Sequence, residues 1–341
     1  MSAADIAFCQ LESNLTTRGT RLPQARHTLR GDPKMADAIR DAGFGVVSFA
    51  GNHCMDWGAE AFFDTIDHLR ARQLAVVGVG ATIAEARQTA VVEHDGLRVA
   101  FLAYSSILPM AYWAEHNRPG CAPMRAFTFY EQIEHDQPGT PARIHTFPHR
   151  EDLKNLIADV KQAKTIADIV IVSLHWGIHF APVVLADYQQ DVAHAAIDAG
   201  ADAILGHHAH ILKGVEVYKN KPIFYSLCNF ATDLRMDKAH AESKSFAEIR
   251  TLNPNWDVDF DSLYNFPNDS RMSIIAKLTL APGGMLGASI LPLYINKAAQ
   301  PEIMPPGDPR FGQVRAYLQD ISGKAGLATR FEARGDEIAF A

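Results

Sequence analysis

The chain has 341 residues, 48% of them hydrophobic, and its 32 basic and 39 acidic side chains leave a net charge of −7. That composition can bury one large core or two modest ones and excludes a disordered chain. The acidic balance, without a strongly basic run, argues against a nucleic-acid or anionic-membrane surface and leaves small-molecule or peptide-like substrates. Cys9, Cys54, Cys121 and Cys228 show no CxxC spacing and form no dense disulfide framework, so a reducing compartment is expected. No apolar stretch approaches the ~18 residues of a spanning helix, and the first residues lack the sections of a signal peptide. A cytoplasmic protein without a membrane span is the expectation.

In chain order, Asp5 to Leu11 reads as a strand, Pro33 to Ala42 as a helix stopped by Gly43, and Phe44 to Phe49 as a buried strand. A helix follows from Trp57 to Arg72, with Phe62, Ile66 and Leu69 on one face and Asp56 as its capping residue. Leu74 to Val79 returns to the sheet and closes a β-α-β unit. Val91 to Glu93 and Val99 to Tyr104 form a hairpin around Asp95-Gly96. Residues 105 to 150, rich in proline, read as a long insertion with little regular structure, a substrate lid or a surface elaboration in which Tyr112, Trp113 and Arg125 are candidates for substrate contact. Regular structure resumes with a helix from Arg150 to Ala163, a strand from Ile169 to Leu174, a helix from Asp187 to Ala199 and a strand from Ala203 to Leu205. Gly214 to Tyr218 and Pro222 to Tyr225 make a hairpin, residues 233 to 270 are weakly patterned, Arg271 to Leu280 and Met285 to Tyr294 form a late hairpin, and Pro309 to Ile321 a closing helix. The rhythm is α/β, and one domain with an insertion fits it best.

Three strand-like runs end in histidine or asparagine. Val46 to Ala50 leads into Gly51-Asn52-His53, Ile169 to Leu174 into His175-Trp176-Gly177, and Ala203 to Leu205 into Gly206-His207-His208-Ala209-His210. Ligands of open α/β sheets bind beyond the carboxyl ends of the strands, so these ends are placed to gather on one point. A lone histidine after a strand is more often a hydrogen-bonded structural residue. Asn52, His175, His208 and His210 taken together point to a metal, because neutral imidazole and amide oxygen suit zinc, manganese or iron.

Five motifs in order resemble the poly-γ-glutamate capsule biosynthesis (CapA) family, whose fold is the four-layer α-β-β-α sandwich of the calcineurin-like metallophosphoesterases. They are Gln10-Leu11-Glu12, Ala50-Gly51-Asn52-His53-Cys54-Met55-Asp56-Trp57-Gly58, His175-Trp176-Gly177, Gly206 through His210 and Tyr225 through Phe230. The likeness runs from about Ala4 to Asp233 and implies a single metallophosphoesterase-fold domain over 1–341, with the insertion at about 105–150 and a hairpin and helix at about 271–341. It implies further that Glu12, Asn52, His175, His208 and His210 surround one or two divalent transition metals (Mn, Zn or Fe), with His53 beside them as a proton donor. Trp176, His179 and Asn229 join Tyr112 and Arg125 as candidates for substrate contact.

The sequence departs from the family where a first strand normally ends in Gly-Asp, so either the natural start lies upstream of Met1 or the chain lacks that strand and one metal ligand. The family's asparagine before Leu-Glu is Gln10, its glutamate after His-Trp-Gly is His179, and its glycine in Ser-Leu-Gly-Asn is Cys228. The expected chemistry is hydrolysis of an amide or related acyl bond, γ-glutamyl-type or in a small metabolite, by a metal-activated water, with His53 or His207 as general acid. Neither a P-loop nor an arginine cluster accompanies the site motifs. Two alternatives stand beside it: a metal-independent acid/base enzyme such as a peptide epimerase, and a non-catalytic component of poly-γ-glutamate synthesis. Nothing in the sequence decides the oligomeric state, and a homo-oligomer stays open.

Overall fold

The computed structural model describes residues 1–24 and 27–341. It has the expected α/β class and divides into two compact units, Met1–Trp176 with Asp187–Ala203, and Gly177–Ala186 with Ile204–Ala341.

In the first unit, Val46–Ser48 is the middle of a three-stranded parallel sheet, flanked by Phe8–Gln10 and Ala75–Val77. The helix Gly58–Ala71 makes the crossover between the last two strands and buries Phe62, Ile66 and Leu69, as its spacing predicts. The helix Met35–Asp41 precedes the middle strand and ends where Gly43 takes φ +95°, a conformation that costs glycine least. Leu15, Ala36, Val47, Leu69 and Leu74 pack together beneath these elements.

A second sheet of this unit is built on Leu97–Ser105, parallel to Ile169–His175 and antiparallel to Ala90–His94. The turn Asp95-Gly96 has φ +48° and +78°, as a tight hairpin turn requires. Every residue of Ile169–His175 is buried, which accounts for the apolar run Ile169–Val172 at its start. At Gly78, directly after Ala75–Val77, a Cβ would stand 2.7 Å from the Ala50 methyl and 2.8 Å from the Ala103 methyl. The backbone bends at Gly78, with φ +82°, and Val79 does not continue that strand.

The insertion is more regular than its prolines suggest. Ala126–Glu131 and Arg143–Pro148 pair antiparallel over six residues each, from Ala126 opposite Pro148 to Glu131 opposite Arg143. Pro138 and Pro141 fall in the connecting loop and Pro148 at a strand end, where a missing N–H costs little. Aromatic residues on both faces of this ribbon hide the period of two.

In the second unit, Lys221–Phe224 runs parallel to Ala203–His207 and antiparallel to Val215–Tyr218, whose two-residue turn puts Lys219 and Asn220 at φ +49° and +63°. A separate five-stranded sheet contains the long hairpin Met272–Ala281 with Gly284–Ile295. The helix Pro309–Lys324 is capped by the Asp308 side chain but does not close the chain. Phe331–Arg334 and Glu337–Phe340 follow as a short antiparallel pair about Gly335, too brief for an alternating pattern to register. Residues 233 to 270 hold two short helices, Lys238–Ala241 and Lys244–Arg250, around Met236, Phe246 and Trp256. Among the described residues no helix is long and apolar enough to cross a membrane.

Candidate metal centre

Three strand ends of the first unit bring Glu12, Asn52 and His175 together. Asn52 Oδ1 lies 2.7 Å from His175 Nε2, and Glu12 Oε1 lies 3.6 Å from the same nitrogen. Since Oδ1 only accepts, Nε2 carries the hydrogen in this state. The His175 side chain is fully buried and that of Glu12 is 18% exposed. A carboxylate oxygen, an amide oxygen and an imidazole nitrogen converging in this way are a donor set that fits manganese, iron or zinc, and displacing the Nε2 hydrogen would free the imidazole to ligate.

His53, next to Asn52, is held by Asp56. Its Nδ1 donates to Asp56 Oδ2 at 2.6 Å, while the same carboxylate accepts from the Leu29 N–H at 2.6 Å and from the Tyr112 hydroxyl at 3.1 Å. The expected capping role of Asp56 is not what the structure shows. The helix begins at Gly58 after Trp57 with no side-chain cap, because the fully buried carboxylate is engaged elsewhere. Burial first, then the facing Asp56 charge, pushes the Tyr112 phenol up, so it stays a donor. Asp56 thereby fixes the His53 ring and turns Nε2 away from itself. The i, i+3 spacing of His53 and Asp56 was the available signal for this pair.

The second unit gathers the remaining histidines. His207 is the last residue of its strand, and the chain then turns through His208 at φ +90° and His210 at φ +54°, a conformation costly for residues with a Cβ. His210 Nδ1 donates to Asn229 Oδ1 at 2.8 Å, and Asn229 Nδ2 donates to the Tyr264 hydroxyl at 2.8 Å, which fixes the way the amide faces. The lone pair of His210 is therefore on Nε2, the arrangement of a ligating imidazole whose other nitrogen is held. Burial leads the upward shift of the Tyr264 phenol. The His179 ring lies against His208, with centroids 3.8 Å apart, and 5.4 Å from that of His210.

The family model described as bacterial capsule synthesis protein PGA_cap matches residues 1–234. The chain belongs to this family. It is 31% identical over 206 residues to a PGA biosynthesis protein CapA of Bacillus subtilis, a match covering 60% of this chain and 47% of that protein. To a probable polyglutamine synthesis accessory protein of Mycobacterium tuberculosis it is 29% identical over 257 residues, 74% of this chain and 61% of that one. The chain thus spans about half the length of the first relative and under two thirds of the second. Among solved structures it is similar to a calcineurin-like phosphoesterase from Bacillus subtilis, with TM-score 0.39 and 13% identity, covering 86% of this chain and 73% of that one.

Two departures from the PGA_cap motifs have a physical reading. A Cβ at Gly51 would lie 3.1 Å from Gln10 Nε2 and 3.5 Å from His175 Nδ1, so the longer side chain at position 10 occupies room that a residue larger than glycine at 51 would need. Cys228 sits at φ +68°, where the family's glycine is the unstrained choice. Its thiol meets the carbonyls of His210 and Ser270 at 3.4 and 3.3 Å, and burial keeps it protonated.

The other substrate-contact candidates are engaged in packing. Trp176 is fully buried, edge-on to Tyr188 with centroids 6.4 Å apart, and Tyr112 is equally buried on Asp56. Arg125 grips the Asp152 carboxylate with Nε and Nη2 at 2.7 and 2.8 Å. Asn229 serves His210 as described, which leaves His179, stacked on the histidines, as the candidate beside them.

One residue without a sequence signal holds the His179 segment. Lys213 is 1% exposed, and its Nζ donates to the Ala181 carbonyl and, at 2.9 Å, to that of Val184. Asn253 Nδ2 adds a bond to the Phe180 carbonyl at 3.2 Å. Burial brings the Lys213 ammonium down from 10.5 to about 7, with Asp269 opposing the shift. Below pH 7 the lysine is protonated in both folded and unfolded chains and contributes no slope. Above it the unfolded chain binds the extra proton, so stability rises with pH at up to ~1.4 kcal/mol per unit. Between pH 7 and 8.5, urea unfolding of the wild type is expected to gain roughly 2 kcal/mol that a Lys213→Met variant does not gain. Equal slopes for the two proteins would show that Lys213 does not carry the effect.

Proposed function

We propose that the chain is a metal-dependent hydrolase of an amide or related acyl bond, of γ-glutamyl type or in a small peptide-like metabolite. The observation that carries the reading is the approach of Asn52 Oδ1 and Glu12 Oε1 to one buried His175 nitrogen at parallel-strand ends. Glu12, Asn52 and His175 would hold the ion. When bound, a divalent transition metal supplies Lewis acidity and an activated water at neutral pH.

The chain's own residues do the rest. His53 carries a proton on Nε2 for the leaving group while Asp56 accepts from Nδ1 and stabilises the imidazolium. Asn229 keeps His210 in the tautomer that presents Nε2. The acyl preference over phosphoesters follows the relatives named for PGA and capsule biosynthesis.

The word accessory in the mycobacterial relative's name favours a second reading, a non-catalytic component of polymer synthesis. Protein reconstituted with Mn²⁺, Zn²⁺ or Fe²⁺ is assayed on γ-glutamyl anilides, small amides and aryl phosphates. Turnover on the first two that is lost on chelation and restored by metal is the expected result. Turnover that survives chelation would move the reading to acid/base chemistry, preference for aryl phosphates would overturn the acyl assignment, and bound metal without any turnover would favour the accessory role.

A further inference from the structure

The second unit holds a cavity of about 300 Å³ that neither the histidine motifs nor the strand ends account for. Tyr264, Phe266 and Tyr294 give it aromatic walls, and Arg271, Lys297, Asp257 and Asp259 bring charges to it. Its volume is that of a small ligand pocket, and aromatic walls with a few polar groups to fix orientation are the usual lining of one.

The charges sort into pairs with one left over. Lys297 Nζ lies 2.7 Å from Asp259 Oδ2, a contact that holds the Asp259 carboxyl below its ordinary range. Asp257, whose side chain is 77% exposed, faces Arg250 at 3.8 Å. Arg271 is held differently. Its Nη1 donates to the Ile295 carbonyl at 3.0 Å, and its Nη2 to the Ser262 hydroxyl at 2.9 Å and the Tyr264 carbonyl at 3.0 Å. All three acceptors are neutral, and among the described residues no carboxylate forms an ion pair with this guanidinium. Three of the five N–H donors of an arginine are used in this way, so donors remain for a ligand. A guanidinium already fixed by neutral oxygens is a pre-positioned receptor for an anion, because its charge is unanswered and little rotamer entropy is left to lose.

We propose that this cavity binds a small monocarboxylate with an aromatic or apolar body, its carboxylate on Arg271 and its body against Tyr264, Phe266 and Tyr294. One surplus positive charge answers one carboxylate, whereas a phosphate dianion or a polyacid brings more charge than the cavity balances. Asn268, exposed at the same cavity and without a side-chain hydrogen bond among the described residues, has an amide N–H to give the second oxygen. Tyr264 joins the cavity to the surroundings of His210. Its hydroxyl accepts from Asn229 Nδ2 at 2.8 Å and donates to the Ser270 carbonyl at 2.9 Å, and the Phe266 ring centroid is 5.0 Å from that of His210. An occupant therefore touches residues that border His210, yet its binding requires neither a metal nor turnover, so the inference stands or falls apart from the hydrolase reading.

The test is isothermal titration calorimetry of the full chain, stripped of metal with EDTA so that no ion competes for the probe. The probes are phenylacetate, its neutral counterpart phenylacetamide, and inorganic phosphate. Phenylacetate is expected to bind with a Kd of ~1 mM or below, and phenylacetamide at least ~10-fold more weakly, because it lacks the charge that Arg271 answers. Arg271→Gln should weaken phenylacetate binding ~10-fold or more. Asn268→Asp sets a carboxylate at the cavity without breaking a contact, and should weaken it roughly 3- to 10-fold, less so in about 0.5 M salt. Thermal melting checks that both variants fold, and should Arg271→Gln fail to do so, Asn268→Asp decides. Absence of binding by the wild type at ~10 mM phenylacetate, equal binding of the acid and the amide, or binding undiminished in the folded variants would overturn the proposal. Preference for phosphate would overturn the carboxylate assignment.

Discussion

An Asp56→Asn variant is expected to turn over its substrate about 10²-fold more slowly while keeping its metal and its fold, because it removes charge and little else. The amide can set its oxygen toward His53 and the Leu29 N–H and its nitrogen toward the Tyr112 hydroxyl, so all three contacts of the buried carboxylate have a replacement. What disappears is the anionic acceptor of the His53 Nδ1 hydrogen, the group that orients the proposed proton donor. Asp56→Ala is expected to behave differently. It strips three donors of their acceptor at a fully buried position, and each lost partner costs roughly 1 to 3 kcal/mol. Steady-state kinetics, metal content and thermal melting of both variants separate the two outcomes. If Asp56→Asn turns over at the wild-type rate, His53 is not the proton donor.

The second large effect is expected at His175. His175→Ala should weaken metal binding by at least ~100-fold, since even partners that only orient a ligand cost 10- to 100-fold, and should bring hydrolysis to background. His175 stands between Asn52 and Glu12, so its loss removes a candidate ligand and also the contact that fixes Asn52. Glu12→Gln keeps an oxygen in place and should cost less. Elemental mass spectrometry after dialysis against trace metal reads this order directly. Retention of about one equivalent by His175→Ala would place the ion elsewhere in the chain.

The strand ends were legible because fully buried strands write themselves as apolar runs, and a polar residue closing such a run stands out. His175 and Asn52 are found in this way, and the structure sets them in contact. Asp56 was legible as a residue and misread in role, since an aspartate just before a helix serves equally well as a cap or as a partner for a side chain on the preceding turn. The ribbon of the insertion was hidden by aromatic residues on both of its faces. Lys213 left no trace, because burial of a lysine depends on carbonyls of a segment some thirty residues earlier that no local pattern encodes. The fit between Gln10 and Gly51 is likewise a matter of volume across two strands and appears only once their atoms are placed.

The absence of a side chain at Gly78 bears on how the first unit would respond to engineering. Ala50 and Ala103 meet it as bare methyls, so the segment leading into Asn52 and His53 is referenced to the neighbouring sheet through a spacer of fixed thickness. Enlargement at 50, 78 or 103 would act as a shim, shifting the loop that carries the candidate ligand and proton donor before any group touching the substrate had changed.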